Sequence, residues 1–327
     1  MSDAQIEVLG IGNAIVDVIA NASDEFLVQH GMDKGGMALI DEERAAAIYT
    51  AMGPGIEASG GSAGNTIAGI ASLGGKAAYI GRVRDDELGE IFAHDLRSIG
   101  VRFETAAATS GPSTARCLIL VTPDAQRTMN TFLGACADLA PDDIDEALVR
   151  SAGIVYLEGY LFDRPLAKEA FRKAATIARD AGRRVALTLS DSFCVHRYRD
   201  EFRELIAQHV DILFANEAEL QALYETENFD AAARDLGSQV SIAAVTRSAA
   251  GSVLLSGGER IDVPAAPVAQ VIDTTGAGDL YAAGVLFGLS RGLPLAECGR
   301  LGSIAAAEII SHFGARPQVT LADLIEA

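Results

Sequence analysis

The sequence contains no tryptophan, and aromatic residues make up only 6% of its 327 positions, so no ring-rich purine pocket announces itself. Basic residues are scarce: 26 Lys and Arg stand against 45 Asp and Glu, a net charge of −19. That balance excludes a nucleic-acid or anionic-membrane partner, since both select for clustered cations. It does not exclude a phosphorylated ligand, which a few backbone N–H groups and one cation can hold. The four cysteines, Cys117, Cys136, Cys194 and Cys298, form no CxxC pair and have no histidine at ligand spacing. They read as reduced, buried thiols of a cytoplasmic protein, with no structural zinc. Met1 to Glu7 lacks the basic and apolar regions of a signal peptide. No apolar run approaches the roughly 18 residues of a membrane span.

What is present is ordinary for a globular protein: 49% hydrophobic and 22% charged residues. The pattern predicts strands at 6–12, 15–20, 36–40 and 77–81, with helices over 41–52 and 86–99 and, between them, a helix opened by the glycine-rich stretch 60–64 and running to 73. The stretches 102–105, 115–122 and 127–132 read as a β-meander, turned at Pro123-Asp124. Strands at 154–157, 185–189 and 212–215 then alternate with helices at 165–181, 197–207 and 217–224. A strand pair at 242–246 and 252–256 and two helices, 278–290 and 295–311, complete the chain. Such alternation implies βαβ units and a mostly parallel, doubly wound sheet covered on both faces. The β-rich stretches, about 15–60 and 102–133, lack crossover helices and are expected to pair as a small sheet beside one large α/β domain spanning 1–327.

The segment Asp273-Thr274-Thr275-Gly276-Ala277-Gly278-Asp279 carries the most chemistry. It follows an apolar run, Gln270 to Ile272, expected to be a strand, and opens an apolar helix. A glycine-rich loop at a helix start aims N–H groups and the positive dipole end at an anion. Such donors stabilise charge on a phosphoryl group in transfer. Asp279, in the first helical turn, could accept a proton from an attacking hydroxyl, or it could cap the helix.

Competing signatures fail. Gly75-Lys76 lacks the upstream glycine of a Walker loop and is followed by Ala77. Gly10-Ile11-Gly12 has Ile15 where a dinucleotide fingerprint needs its third glycine. Gly60-Gly61-Ser62-Ala63-Gly64 matches a hydrolase elbow, but its approach from Met52 to Ser59 is not a buried strand. As a ligand loop, Gly60 and Gly61 allow close backbone approach, and Asn65 offers both donor and acceptor. Asp17 lies in the apolar strand Ile15–Ile19 and needs a partner; a vicinal diol would serve. Asn216 and Glu219 read either as a capping box or as a pair ordering water around a phosphate-bound Mg²⁺.

Taken together, GGSAGNTIAGIASLGG at 60–75 and DTTGAGD at 273–279 resemble the two signatures of the phosphofructokinase-B type, ribokinase-like kinases. The resemblance covers nearly the whole chain. It implies a three-layer α/β fold with a small β-sheet lid, ATP and Mg²⁺ as cofactors, and phosphorylation of a primary hydroxyl. It implies that Gly276, Ala277 and Gly278 form an anion hole, that Asp279 is the base, and that Glu219 meets Mg²⁺ through water beside Asn216. The nucleotide would also meet Asp273, Thr246 and Gly251, although Ser248 stands where the family often has glycine. Within the family, Gly10–Asn13 with Asp17, Leu187–Ser190 with Phe193, and Val210–Phe214 are most similar to the adenosine kinases. By that likeness Asp17, Gly60, Gly61 and Asn65 hold the ribose, Asn13 reaches the sugar or base, and Tyr160, Phe162 and Phe193 are candidates to face the purine. The product would be AMP; a sugar kinase, a kinase for another nucleoside, or a non-catalytic binding protein are the alternatives. A second subunit could cover an apolar face of the lid as a homodimer.

Overall fold

A computed structural model describes residues 5–124 and 126–325; Met1 to Ala4, within the Met1–Glu7 stretch read for a signal peptide, lie outside the described residues. In chain order, β1 (Ile6–Ile11) leads into β2 (Ile15–Asn21), followed by α1 (Asp24–Gln29), β3 (Met37–Leu39), α2 (Glu42–Ala51) and β4 (Gly55–Ser59). Next come α3 (Ser62–Ser72), β5 (Ala77–Ile80), α4 (Glu87–Ser98), β6 (Arg102–Phe103), β7 (Ala115–Val121) and β8 (Arg127–Phe132). The second half runs through α5 (Glu146–Ser151), β9 (Ala152–Glu158), α6 (Pro165–Asp180), β10 (Arg184–Thr188), α7 (Ser192–His209) and β11 (Ile212–Asn216). It continues with α8 (Glu217–Tyr224), α9 (Phe229–Gln239), β12 (Ile242–Thr246), β13 (Ser252–Ser256) and β14 (Glu259–Val263). The helices α10 (Ala277–Ser290), α11 (Leu295–Ile309) and α12 (Leu321–Ile325) end the described chain.

The large sheet has the strand order β14-β13-β12-β11-β10-β9-β1-β5-β6. From β12 to β6 every neighbour pair is parallel; β13 and β14 add an antiparallel edge. Parallel strands need crossover connections, and here those helices cover both faces. One face packs Phe171, Phe202 and Leu223 of α6, α7 and α8. The other packs Ile67, Leu280, Leu286 and Leu301 of α3, α10 and α11. Helix α10 is buried from Leu280 to Leu289, which is why its sequence is apolar on all sides.

A second sheet, β3-β8-β7-β2-β4, stands beside the first. Alternation along β2 divides its faces: Val16, Val18 and Ala20 are buried, whereas Ile15, Asp17 and Ile19 are half-buried. The buried face packs against Leu27, Ile48, Phe92 and Leu96 of α1, α2 and α4. The other face carries Asp17 and, two residues along, a row of Met37, Met129, Ile119, Ile19 and Ile56 in register across all five strands.

Three sequence expectations change. Residues 102–103 pair with β5 in the large sheet rather than joining a meander with 115–132, because the short β6 continues directly from α4 alongside β5. Gln270 to Ile272 is not a strand: Val271 and Ile272 are exposed, and Ile272 N–H bonds the Ile310 carbonyl at the end of α11 at 2.8 Å. Helix α7 begins at Ser192 rather than Arg197, because Asp191 caps it by accepting from Cys194 N–H at 2.7 Å, and a kink at Tyr198 divides it.

Candidate active site

The parallel strands all end at one edge of the large sheet, where α/β proteins bind ligands. There β1 gives way to Asn13, β9 ends at Glu158, β10 at Thr188, β11 at Asn216 and β12 at Thr246. The loop 273–276 and the start of α10 complete this edge. Asp279 is half-buried in the first turn of α10. Ser62 Oγ donates to its Oδ1 at 2.6 Å and Asn65 Nδ2 to its Oδ2 at 2.9 Å. The first turn of α3 therefore holds the carboxylate at the start of α10. Burial pushes the Asp279 pKa up, against the two hydrogen bonds and the charge of Arg316. A carboxylate whose pKa is raised is a better proton acceptor than a free one. The serine of the elbow-like GxSxG is thus bonded to a carboxylate, which is not a hydrolase arrangement.

Asn65 is 5% exposed, and its Oδ1 is buried without a hydrogen-bond partner. An orphaned acceptor beside a carboxylate base is what a ligand hydroxyl would satisfy. Gly61 makes the approach to α3: it has φ of +83°, and a Cβ there would fall 2.2 Å from the Asn13 carbonyl oxygen. A Cβ on Gly60 would fall 2.5 Å from Asp17 Oδ2. Asp17 thus comes from the small sheet to the same glycine turn. Burial lifts its pKa to about 6, opposed by Arg316 and Arg127.

Asp273 is buried and fully engaged. It accepts from Thr275 N–H at 3.0 Å, from Thr275 Oγ1 at 2.8 Å and from Gly314 N–H at 3.1 Å. Arg127 of β8 makes a close ion pair with it and also donates to Thr275 Oγ1 at 3.1 Å. A cation of the small sheet is therefore docked on the glycine loop of the large domain. The loop turns at Gly276, and Ala277 and Gly278 begin α10, whose leading N–H groups have no intrahelical acceptor, the Ala277 N–H donating to the Thr274 carbonyl at 3.2 Å. Gly278 is exposed, with open space around it.

Several expected residues stand differently. Asn13 was expected to reach the ligand, but it is 3% exposed and its amide is already committed: Nδ2 donates to Glu158 Oε1 at 2.7 Å, and Oδ1 lies 3.0 Å from Cys136 Sγ. Its role is to hold Glu158. Phe162 cannot face a purine, because it is buried and stacked on Phe202 with centroids 4.3 Å apart. Tyr160 and Phe193 remain accessible at this edge. Asn216 and Glu219 form the capping box, with Glu219 accepting from Asn216 N–H at 2.9 Å and from Nδ2 at 2.6 Å. Burial pushes Glu219 up to about 7. Thr246 ends β12 beside Asn216, and Gly251 turns the hairpin that follows with φ of +82°. The charge of Asp279 also raises Glu219, so the capping box stands within the field of the Asp279 cluster.

Four participants escaped the sequence reading: Ser62 as a partner of Asp279, Arg127, Glu158 and Arg316. Only Glu158 had a signal, an acid ending the apolar strand Ile154–Leu157. It is 1% exposed, bonds Asn13 and accepts from Ala63 N–H at 2.8 Å; burial pushes it up to about 7. Among the described residues no cluster of three or more His, Cys, Asp or Glu could hold a metal directly, and no helix is long and apolar enough to cross a membrane.

At this edge a carboxylate at a helix start, the loop 273–276 and the glycine turn at 60–61 come together. Residues 56–321 match the pfkB family of carbohydrate kinases. The chain belongs to that family and is a phosphotransferase acting on a hydroxyl group, for which the family implies ATP. It is similar to adenosine kinase from Sinorhizobium meliloti, with 55% identity, a TM-score of 0.91 and 99% of each chain covered. It is similar also to a probable sugar kinase from Rhizobium etli CFN 42, with 49% identity, a TM-score of 0.92, and 99% of this chain and 98% of that one covered. Adenosine kinase of Saccharomyces cerevisiae is 26% identical, over 93% of this chain and 94% of the relative. Both sugar and nucleoside kinases therefore stand among its relatives.

Proposed function

We propose that this protein transfers the γ-phosphoryl group of ATP to the 5′-hydroxyl of a nucleoside, with adenosine as substrate and AMP as product. The observation that carries the reading is Asp279, held by Ser62 and Asn65 at the start of α10 beside an unpaired Asn65 Oδ1. The relative from Sinorhizobium meliloti favours adenosine over a free sugar.

In this reading Asp17, Gly60, Gly61 and Asn65 receive the ribose: the carboxylate accepts from the vicinal diol and Asn65 Oδ1 from a further hydroxyl. Tyr160 and Phe193 flank the base. Asp279 takes the proton as the hydroxyl oxygen bonds to phosphorus and the bond to the ADP oxygen breaks. N–H groups of Gly276, Ala277 and Gly278 receive the charge that gathers on the moving group. Arg127, delivered by the small sheet, adds a cation there, and Asp273 fixes the loop. Asn216, Thr246 and Gly251 line the nucleotide side. Mg²⁺ would neutralise phosphate charge; with no carboxylate cluster among the described residues, phosphate and water would hold most of it, with Glu219 ordering one water. The small sheet acts as a lid that excludes water. Its apolar row from Met37 to Ile56 fits coverage by a second copy, and the cytoplasm suits four reduced cysteines.

The test is ADP release from Mg-ATP with adenosine, guanosine, inosine, cytidine, ribose and fructose. Turnover with adenosine alone supports the reading. Turnover with ribose or fructose keeps Asp279 as base and transfers the assignment to a sugar kinase. Silence throughout favours a binding protein.

A further inference from the structure

The turn after α11 touches both halves of the site. On one side, Ile272 N–H and Asp273 N–H bond the Ile310 carbonyl, Gly314 N–H donates to Asp273, and a Cβ on Gly276 would lie 3.1 Å from Ala315 Cβ. On the other, the guanidinium of Arg316 spreads over the glycine hinge: Nε donates to the Ser59 carbonyl at 2.9 Å, Nη2 to Ser59 Oγ at 3.1 Å, and Nη1 to the Gly64 carbonyl at 2.6 Å. Ser59 ends the small-sheet strand β4, and Gly64 lies in the first turn of α3. One planar fork therefore joins the last residue of the lid sheet to the helix carrying Ser62 and Asn65. Asp95 of α4 completes the grip by accepting from Ser59 N–H at 2.8 Å. Arg316 also lies within the field of Asp17, Asp279, Asp95 and Tyr79.

We propose that Arg316 is a positioning residue that ties the anion loop to the glycine hinge, so that a nucleotide on the loop side tightens alcohol binding on the hinge side. The physical basis is contiguity. The segment 310–316 is short, bonded at one end to the loop that would hold phosphate and at the other to the backbone that presents Asn65 and Gly61. Ordering of residues 272–276 by a nucleotide fixes the turn, and the fork transmits that order to Ser59 and Gly64. A lysine cannot replace it, since one ammonium cannot serve three acceptors in this plane.

The inference rests on the kinase reading, which turnover of the unaltered protein tests by itself. The experiment titrates the panel alcohol that binds most tightly, with and without Mg²⁺ and the β,γ-methylene analogue of ATP. The unaltered protein should show tightening of about fivefold or more, the usual lower range of coupling between sites. In R316M the ratio should fall to near one while the alcohol still binds. A merely structural arginine would lower the melting temperature and leave the ratio unchanged. Equal ratios in R316M and the unaltered protein, or no tightening in the unaltered protein, overturn the proposal. Should R316M fail to fold, R316K keeps the charge without the fork, and an undiminished ratio there overturns it equally.

Discussion

Asn65 donates to Asp279 from Nδ2 at 2.9 Å while its Oδ1 is buried without a donor. One amide therefore holds the Asp279 carboxylate and keeps an unpaired acceptor beside it. Truncation to N65A removes both actions. It should lower kcat/KM for the accepted alcohol by about 10²-fold, the equivalent of roughly 3 kcal/mol. Steady-state kinetics check this, and an unchanged KM together with an unchanged kcat would remove Asn65 from the site.

Asp279→Asn keeps the shape of the side chain and removes its basicity. Turnover should fall by at least about 10³-fold, within the range for a positioned general base. Alcohol affinity, read by titration, should change by less than about threefold. Retained turnover would reduce Asp279 to a helix-start residue.

Two glycines should respond in opposite ways. A methyl at Gly61 meets the Asn13 carbonyl at 2.2 Å in a conformation unfavourable for L side chains. G61A should destabilise the fold by about 2 kcal/mol or more, measured by urea unfolding. A methyl at Gly278 meets nothing within 4 Å. G278A should melt like the unaltered protein and yet lose turnover, because the methyl intrudes where the phosphoryl group would lie. Full activity in G278A would move the anion hole elsewhere.

Stability should fall as pH rises from about 4.5 to about 7. Burial raises Glu158 from 4.5 to about 7, so the folded state holds a proton that the unfolded state releases in that window. A carboxyl raised on folding stabilises most below its unfolded pKa, and that contribution is lost as pH passes its folded pKa. For Glu158 alone the swing is about 3 kcal/mol, at about 1.4 kcal/mol per pKa unit. Asp17, at about 6, and Glu219, at about 7, act with the same sign. Urea midpoints across this range should slope downward, and E158Q should flatten part of the slope. A slope of equal size in E158Q would place the protonation elsewhere.

The alternation of strands and helices, the buried helix after Gly278 and the two glycine motifs were legible in the sequence, because each rests on local periodicity or on residues adjacent in the chain. Asp279 and Asn65 could be named separately for that reason. Their contact could not, since 214 positions separate them and only the packing of α10 on α3 brings them together. Arg127, in a polar-alternating strand, gave no sign of reaching Asp273, 146 residues on. Phe162 looked like a purine-facing ring until its packing on Phe202 showed it to be core.

The sequence by itself determined the α/β class and set two glycine turns and an acid at a helix start, since short-range hydrogen bonding and helix polarity act within a few residues. Tertiary structure alone decided which acids and cations surround Asp279, that Asn13 is bonded to Glu158, and that Arg316 joins the end of β4 to the first turn of α3. Those outcomes depend on long-range packing and desolvation, and a buried polar atom finds its partner only where the folded chain supplies one.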